Sequence, residues 1–207
     1  AYVAILAAMV PPVHPRNAAV DGVIVGAMLA IMAMIKVTYF VAFALPVAIA
    51  LILTGQRRAL MISVLTGALI LAGLTLWLGP EYWLAYLGDL LTVTRSDVRP
   101  MPGDSFEAIL GAPAWLGASI VGVLSVVLLR QSRAQAAGLV LLLLLPGFTY
   151  VTWQNFGNDP QWLPLVAVLL LTLVPAQDLT NGLGWNLRNA INLTAVAALS
   201  LGAPSYF

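Results

Sequence analysis

Three groups of polar side chains stand out in an otherwise apolar chain of 207 residues. Lys36, Thr38 and Tyr39 sit together in the first. Arg95, Asp97, Arg99, Asp104 and Glu107 share one polar stretch. Asn155, Asn158, Asp159 and Gln161 form the third, with Trp153 and Trp162 beside them. Carboxylates, amides and tryptophans facing one another are what recognition of a sugar needs. Lysine offers a phosphate a point charge, and arginine offers it a two-pronged hydrogen bond. Lys36, Arg95, Arg99, Asp97, Asp104, Asn158 and Asp159 are therefore the candidate substrate-binding residues, and no residue declares itself catalytic.

Other chemistries drop out by residue type. With no cysteine, disulfides, thiolate metal sites and cysteine nucleophiles are excluded. The single histidine, His14, rules out a multi-histidine metal or haem site built from this chain alone. It sits among Pro11, Pro12 and Pro15 and reads as a solvated loop residue rather than a proton or headgroup contact. No nucleophile–base pair, phosphate loop or metal-ligand spacing is visible, and no cofactor is expected. A net charge of +1 argues against a nucleic-acid partner, which needs a basic stripe. The G-x-x-x-G of Gly22 and Gly26 is a helix-packing device first. Asn192-Leu193-Thr194 fits a glycosylation sequon but lies in an apolar run, where it is a chance match.

The elements that carry these residues have to live in a bilayer. Hydrophobic residues make up 61% and charged ones 8%, against roughly 25% charged in a soluble domain. Residues 20–53 run for 34 positions with only Asp21 and Lys36 charged. About 20 helical residues suffice to cross a hydrocarbon core, so this run predicts two crossings, 18–35 out and 37–53 back. Lys36 then falls at the turn, where it reaches water instead of facing the cost of a mid-membrane cation.

Further runs follow at 59–78, 115–129, 136–153, 161–174 and 190–201. Pro146-Gly147 should kink the 136–153 run. The stretch 81–98 has helical period, with Glu81, Asp89, Thr92 and Arg95 on one side and Trp83, Leu84, Leu87 and Leu91 on the other. It predicts an amphipathic helix lying on the membrane, and 81–112 reads as an external helix and loop. The apolar start, 1–10, is too short to span and reads as the tail of a longer helix. The expected fold is all-α: one polytopic transmembrane bundle over 1–207, with six or seven spans plus one interfacial helix.

Alternating those spans collects Arg16, Arg57, Arg58, Arg130, Arg133 and Arg188 on one face. Lys36, Arg95 and Arg99 share the other with Glu81, Asp89, Asp97, Asp104, Glu107 and Asp159. The positive-inside rule makes the arginine face cytoplasmic, in a plasma or inner membrane.

The hairpin GAMLAIMAMIKVTYFVAFALPVAIALILTGQRR resembles one found in the polytopic GT-C glycosyltransferases, where a Gly-rich helix ends in Lys before a second helix and a basic turn. The link YVTWQNFGNDPQWL, followed by an apolar helix, is similar to their later half. The resemblance implies sugar transfer from a polyprenyl-phosphate donor at the external face. In that family the catalytic acid lies in the first external loop, which would precede Ala1, so no residue of this chain inherits that role. Membrane lipid and a polyprenyl-phosphate sugar are the implied partners. The alternative is a non-catalytic transmembrane subunit of a larger photosynthetic or respiratory complex, packed against other membrane subunits. A transporter ranks third, because the spans carry almost no mid-membrane charge.

Overall fold

The computed structural model describes residues 1–10, 17–95, 105–154, 159–175, 179–180 and 184–203. Asp97, Arg99, Asp104, Asn155 and Asn158, with His14 and Arg16, lie outside the described residues. The described residues are almost wholly helical, and one isolated bridge joins Thr180 to Asn186. The helices are α1 (Tyr2–Met9), α2 (Ala18–Ile35), α3 (Val37–Leu53), α4 (Arg57–Leu78), α5 (Glu81–Thr94), α6 (Phe106–Gly111), α7 (Pro113–Gln131), α8 (Gln135–Trp153), α9 (Leu163–Thr172) and α10 (Leu187–Gly202). Four of them, α2, α4, α7 and α8, are long and apolar enough to cross a membrane.

The 34-residue apolar run divides where expected. Lys36 is the one residue between α2 and α3, and its extended backbone (φ −150°, ψ 84°) breaks the helix. The return, α3, meets α4 after the turn Thr54-Gly55-Gln56, with Gly55 at φ 74°. Gln56 ties that turn to α1 by donating from Nε2 to the Ala8 carbonyl at 3.4 Å.

Small residues set the closest packing. A Cβ on Gly22 would lie 2.6 Å from the Ala59 carbonyl oxygen, and one on Gly26 would collide with the Ser63 carbonyl. Gly22 therefore faces Ala59 and Gly26 faces Ser63, so α2 and α4 run parallel with the whole of α3 as the return stroke. The steps of four on each helix form a small-residue seam. In lipid, where burying leucine against leucine gains little, close backbone approach is what holds helices together.

The second half packs around α9. Its Leu163, Leu165, Val166, Ala167, Leu169 and Leu170 are each at most 3% exposed. The helix α10 lies antiparallel to it, since a Cβ on Gly202 would sit 2.9 Å from Pro164. Ten residues at 1.5 Å each reach only about 15 Å, half a hydrocarbon core. The apolar run 161–174 is thus not helical throughout: Pro164 sits in the first turn, and Pro175 pushes the preceding residue away from helical geometry. Pro146 lies inside α8, which continues to Trp153. Gly147 beside it lets α3 come close, with a Cβ there 3.0 Å from Phe43.

The outer surface remains apolar. Leu76 and Trp77 on α4 are 89% and 79% exposed, and Met61, Val64, Leu65 and Leu69 also face outward. The apolar side of α5 is likewise left open by the described residues, with Leu84 74% exposed and Leu87 and Leu91 both 54%.

Candidate functional site

Helix directions bring the ends of α2, α4 and α8 and the starts of α3, α5 and α9 to one end of the bundle. Lys36 marks that end. Its carbonyl accepts from the Tyr39 backbone N–H at 2.9 Å, and its Nζ stands 4.6 Å from the centre of the Tyr39 ring. The spacing of three residues puts cation and ring on one side of the first turn of α3. A cation over a phenol face gains about 0.5–1 kcal/mol at an exposed site.

Tyr39 begins a continuous run of aromatic rings. It lies 6.0 Å from Phe43, which lies 5.6 Å from Phe148. Phe148 stacks on Trp162 at 4.9 Å and 3°. Trp115 closes the run, edge-on to Trp162 at 6.5 Å. These rings belong to α3, α8, α7 and the residue that caps α9, so they fix the relative depth of four elements.

Beside the first rings is a small, partly polar recess of about 20 Å³. Tyr2, Tyr39, Thr152, Asp159, Gln161 and Trp162 line it together with apolar neighbours. Asp159 is half-buried there, and its carbonyl accepts from the Gln161 N–H at 2.8 Å. The structure thus brings Lys36 and Asp159 to the surroundings of the same tyrosine. Both come from the candidate set, and they are more than a hundred positions apart in sequence.

Among the described residues, buried polar atoms without partners concentrate at this end. They are Thr38 Oγ1, Trp153 Nε1 and Trp162 Nε1, with Gln56 Oε1 the exception at the far end. An unmade hydrogen bond in a buried position costs about 1–3 kcal/mol, so these groups would gain from a polar occupant. Trp153 also borders a shallow groove of about 520 Å³ with Phe106, Pro146, Thr149 and Tyr150.

The remaining candidates are not drawn in. Arg95 caps the far end of α5 and is exposed. Hydrogen bonds from the first half of that helix hold it to the bundle. Trp83 Nε1 donates to Thr75 Oγ1, and the Tyr86 hydroxyl donates to the Ala33 carbonyl, both at 2.7 Å. Nine residues separate Tyr86 from Arg95, about 13 Å along the helix. Glu107 is exposed in the first turn of α6, which Ser105 caps by accepting from the Ala108 N–H. Asp97, Arg99, Asp104 and Asn158 lie outside the described residues. Among the described residues, no group of His, Cys, Asp and Glu is spaced to hold a metal ion.

Sequence reasoning missed Tyr2 and Thr152 as walls of the recess. Nothing local marks either one; only the packing of α1 and α8 against α3 brings them there. The Lys36–Tyr39 pair, by contrast, is visible in the sequence as a three-residue step. Comparison with protein-family models, curated proteins and solved structures gives no match for this chain.

Proposed function

We propose that this chain is a polytopic integral membrane protein, part of a glycosyltransferase that uses a lipid-phosphate-linked sugar at the external face. In this reading α2, α3, α4, α7 and α8 cross the membrane, and α9 with α10 completes the bundle. The arginine end is cytoplasmic in a plasma or inner membrane, and α5 lies along the opposite surface. The observation that carries the reading is the meeting of Lys36, Tyr39 and Asp159 at one end of the bundle.

Each group has a part in holding such a donor. Lys36 supplies a point charge where a lipid phosphate would sit at the interface. Asp159 and Gln161 accept and donate to sugar hydroxyls, and the half-buried ring of Tyr39 offers a flat surface to a pyranose. The recess itself admits about one water, so the sugar would lie across its mouth rather than inside it. The catalytic group of the transfer is unassigned.

A second reading, a non-catalytic membrane subunit, is favoured by the outward face of α4, where Leu76 and Trp77 stand almost wholly exposed. Proteoliposomes containing the full-length protein and a labelled polyprenyl-phosphate sugar separate the two. Sugar transfer or saturable donor binding that falls with Lys36→Gln supports the transferase. Donor binding that is absent, or unchanged in that variant, leaves the subunit reading in front.

A further inference from the structure

The helices α3 and α4 splay apart from their turn and leave a groove floored by α2. Val25, Gly26 and Leu29 form part of its floor, and its walls include Ala44, Ala48, Leu60, Val64, Gly67 and Ala68. It encloses about 310 Å³ and is bordered almost entirely by carbon. From Leu60 to Leu71 it follows α4 for eleven residues, or about 16 Å. So small a volume over that length suits a single hydrocarbon chain of the surrounding lipid better than a whole helix about 10 Å across.

A charge stands at one end of this groove. Leu60, Val64, Gly67 and Leu71 are spaced by three and four residues, and the same stripe extended back one turn reaches Arg57. Arg57 is exposed, at the first position of α4, where the free backbone amides also favour an anion. Asp21, in the first turn of α2, stands near the same level, one position before the Gly22–Ala59 contact. No ion pair joins it to Arg57 or Arg58 among the described residues.

We infer that the α2–α3–α4 groove is a binding site for one anionic phospholipid of the bilayer, with an acyl chain along the groove and the phosphate at Arg57. The phosphate end of the site lies at the start of α4, away from Lys36, and the proposal does not depend on the reading of the Lys36 end. A chain in the groove adds to the sparse packing of α3 on α4, so the lipid would brace the hairpin that presents Lys36.

Native mass spectrometry of the full-length protein released from nanodiscs of equal phosphatidylglycerol and phosphatidylcholine tests this. The wild type should retain one phosphatidylglycerol in preference to phosphatidylcholine. Arg57→Gln should reduce that preference about fivefold, the worth of one basic residue at an anionic surface. Ala68→Phe, at an exposed groove wall, should lower retention of both lipids. Leu65→Phe, on α4 but outside the groove, should leave retention unchanged and report on folding. No preference in the wild type, a preference that survives Arg57→Gln, or equal behaviour of the two phenylalanine variants would overturn the assignment. So would stronger retention of a polyprenyl phosphate than of phosphatidylglycerol.

Discussion

The carbonyl of Ala42 in α3 points at Gly147 in α8, where a Cβ would lie 3.1 Å from its oxygen. Pro46, four residues on, has no N–H to offer that carbonyl, so its usual helical donor is missing. Gly147 lets the two backbones close over it, and the Phe43 and Phe148 rings meet beside the contact. Gly147→Ala should therefore destabilise the protein by about 1–3 kcal/mol, the usual cost of an extra methyl in a packed interface. Gly73→Ala, which meets open space, should be neutral or gain up to about 1 kcal/mol in helix propensity. Unfolding in mixed micelles at increasing SDS, followed by circular dichroism, gives both values. Equal effects of the two substitutions would remove the contact from the account.

The parallel α2–α4 seam makes a steeper prediction. Gly26 faces the backbone of Ser63, which cannot rotate out of the way as a side chain can. Gly26→Leu should separate the two helices and lower the SDS midpoint of unfolding by the equivalent of about 1–3 kcal/mol or more, the usual cost of overpacking. A midpoint unchanged in Gly26→Leu would mean that the seam tolerates bulk.

Topology follows from placing Lys36 and α6 at one end of the bundle and the α7–α8 turn at the other. Glu107 and Gln135 are both exposed and lie at opposite ends, whereas Ser132, in the same turn, is only 4% exposed and unsuited to labelling. With an impermeant thiol reagent on intact cells, Glu107→Cys should react and Gln135→Cys should react only after lysis. Labelling of both in intact cells would reject the alternation of spans.

The amphipathic helix α5 carries a pH prediction. Burial, and secondarily the nearby Tyr82, push the Tyr86 phenol above its ordinary value near 10. A phenol whose pKa is raised by folding contributes its full stabilisation below the unfolded value and loses it as pH rises through the folded one. The chemistry agrees, since a phenolate has no proton for the Ala33 carbonyl. The docking of α5 should therefore weaken above about pH 10, and Tyr86→Phe should lose about 1 kcal/mol of it at neutral pH. A spin label at position 84, read at pH 8 and at pH 11, should gain mobility only in the protein that keeps Tyr86. A pH response that persists in Tyr86→Phe would assign it elsewhere.

Much of this architecture is legible in residue types and spacing, and the reason is length and charge. A 34-residue apolar run with one lysine in its middle has to turn at that lysine, and the break falls at Lys36. The start and end of α5 follow from Pro80 and from the polar stretch after Thr94. The true extent of α9 was less visible, because leucine and valine continue past Thr172; only Pro175 hints that the helix has to stop. Pro146 stays inside α8, and Gly147 beside it marks where α3 comes close. The site is legible where it is local, as in Lys36 and Tyr39. It is hidden where it is assembled, as in Tyr2 and Thr152 beside Asp159, because residue spacing says nothing about which distant helices pack together.

The arrangement of Lys36, Tyr39 and Asp159 makes the last prediction, and it is ordered by chemistry. If Lys36 holds a lipid phosphate, Lys36→Gln removes a charged hydrogen bond worth about 1.5–3 kcal/mol, or roughly one to two decades of donor affinity. Tyr39→Leu removes only the ring beneath the ammonium, about 0.5–1 kcal/mol, so its loss should be about two- to fivefold. Asp159→Asn keeps size and one acceptor but loses the charge, so it should alter discrimination among sugars while leaving affinity for the sugar-free lipid phosphate unchanged. Binding of a polyprenyl phosphate with and without its sugar, measured for all three variants of the full-length protein, separates phosphate from sugar contacts. A lysine that merely reaches for water predicts no change in either ligand for Lys36→Gln. A loss of equal size in all three variants, for both ligands, would point to a general disturbance of the bundle end and not to the division of roles between Lys36 and Asp159.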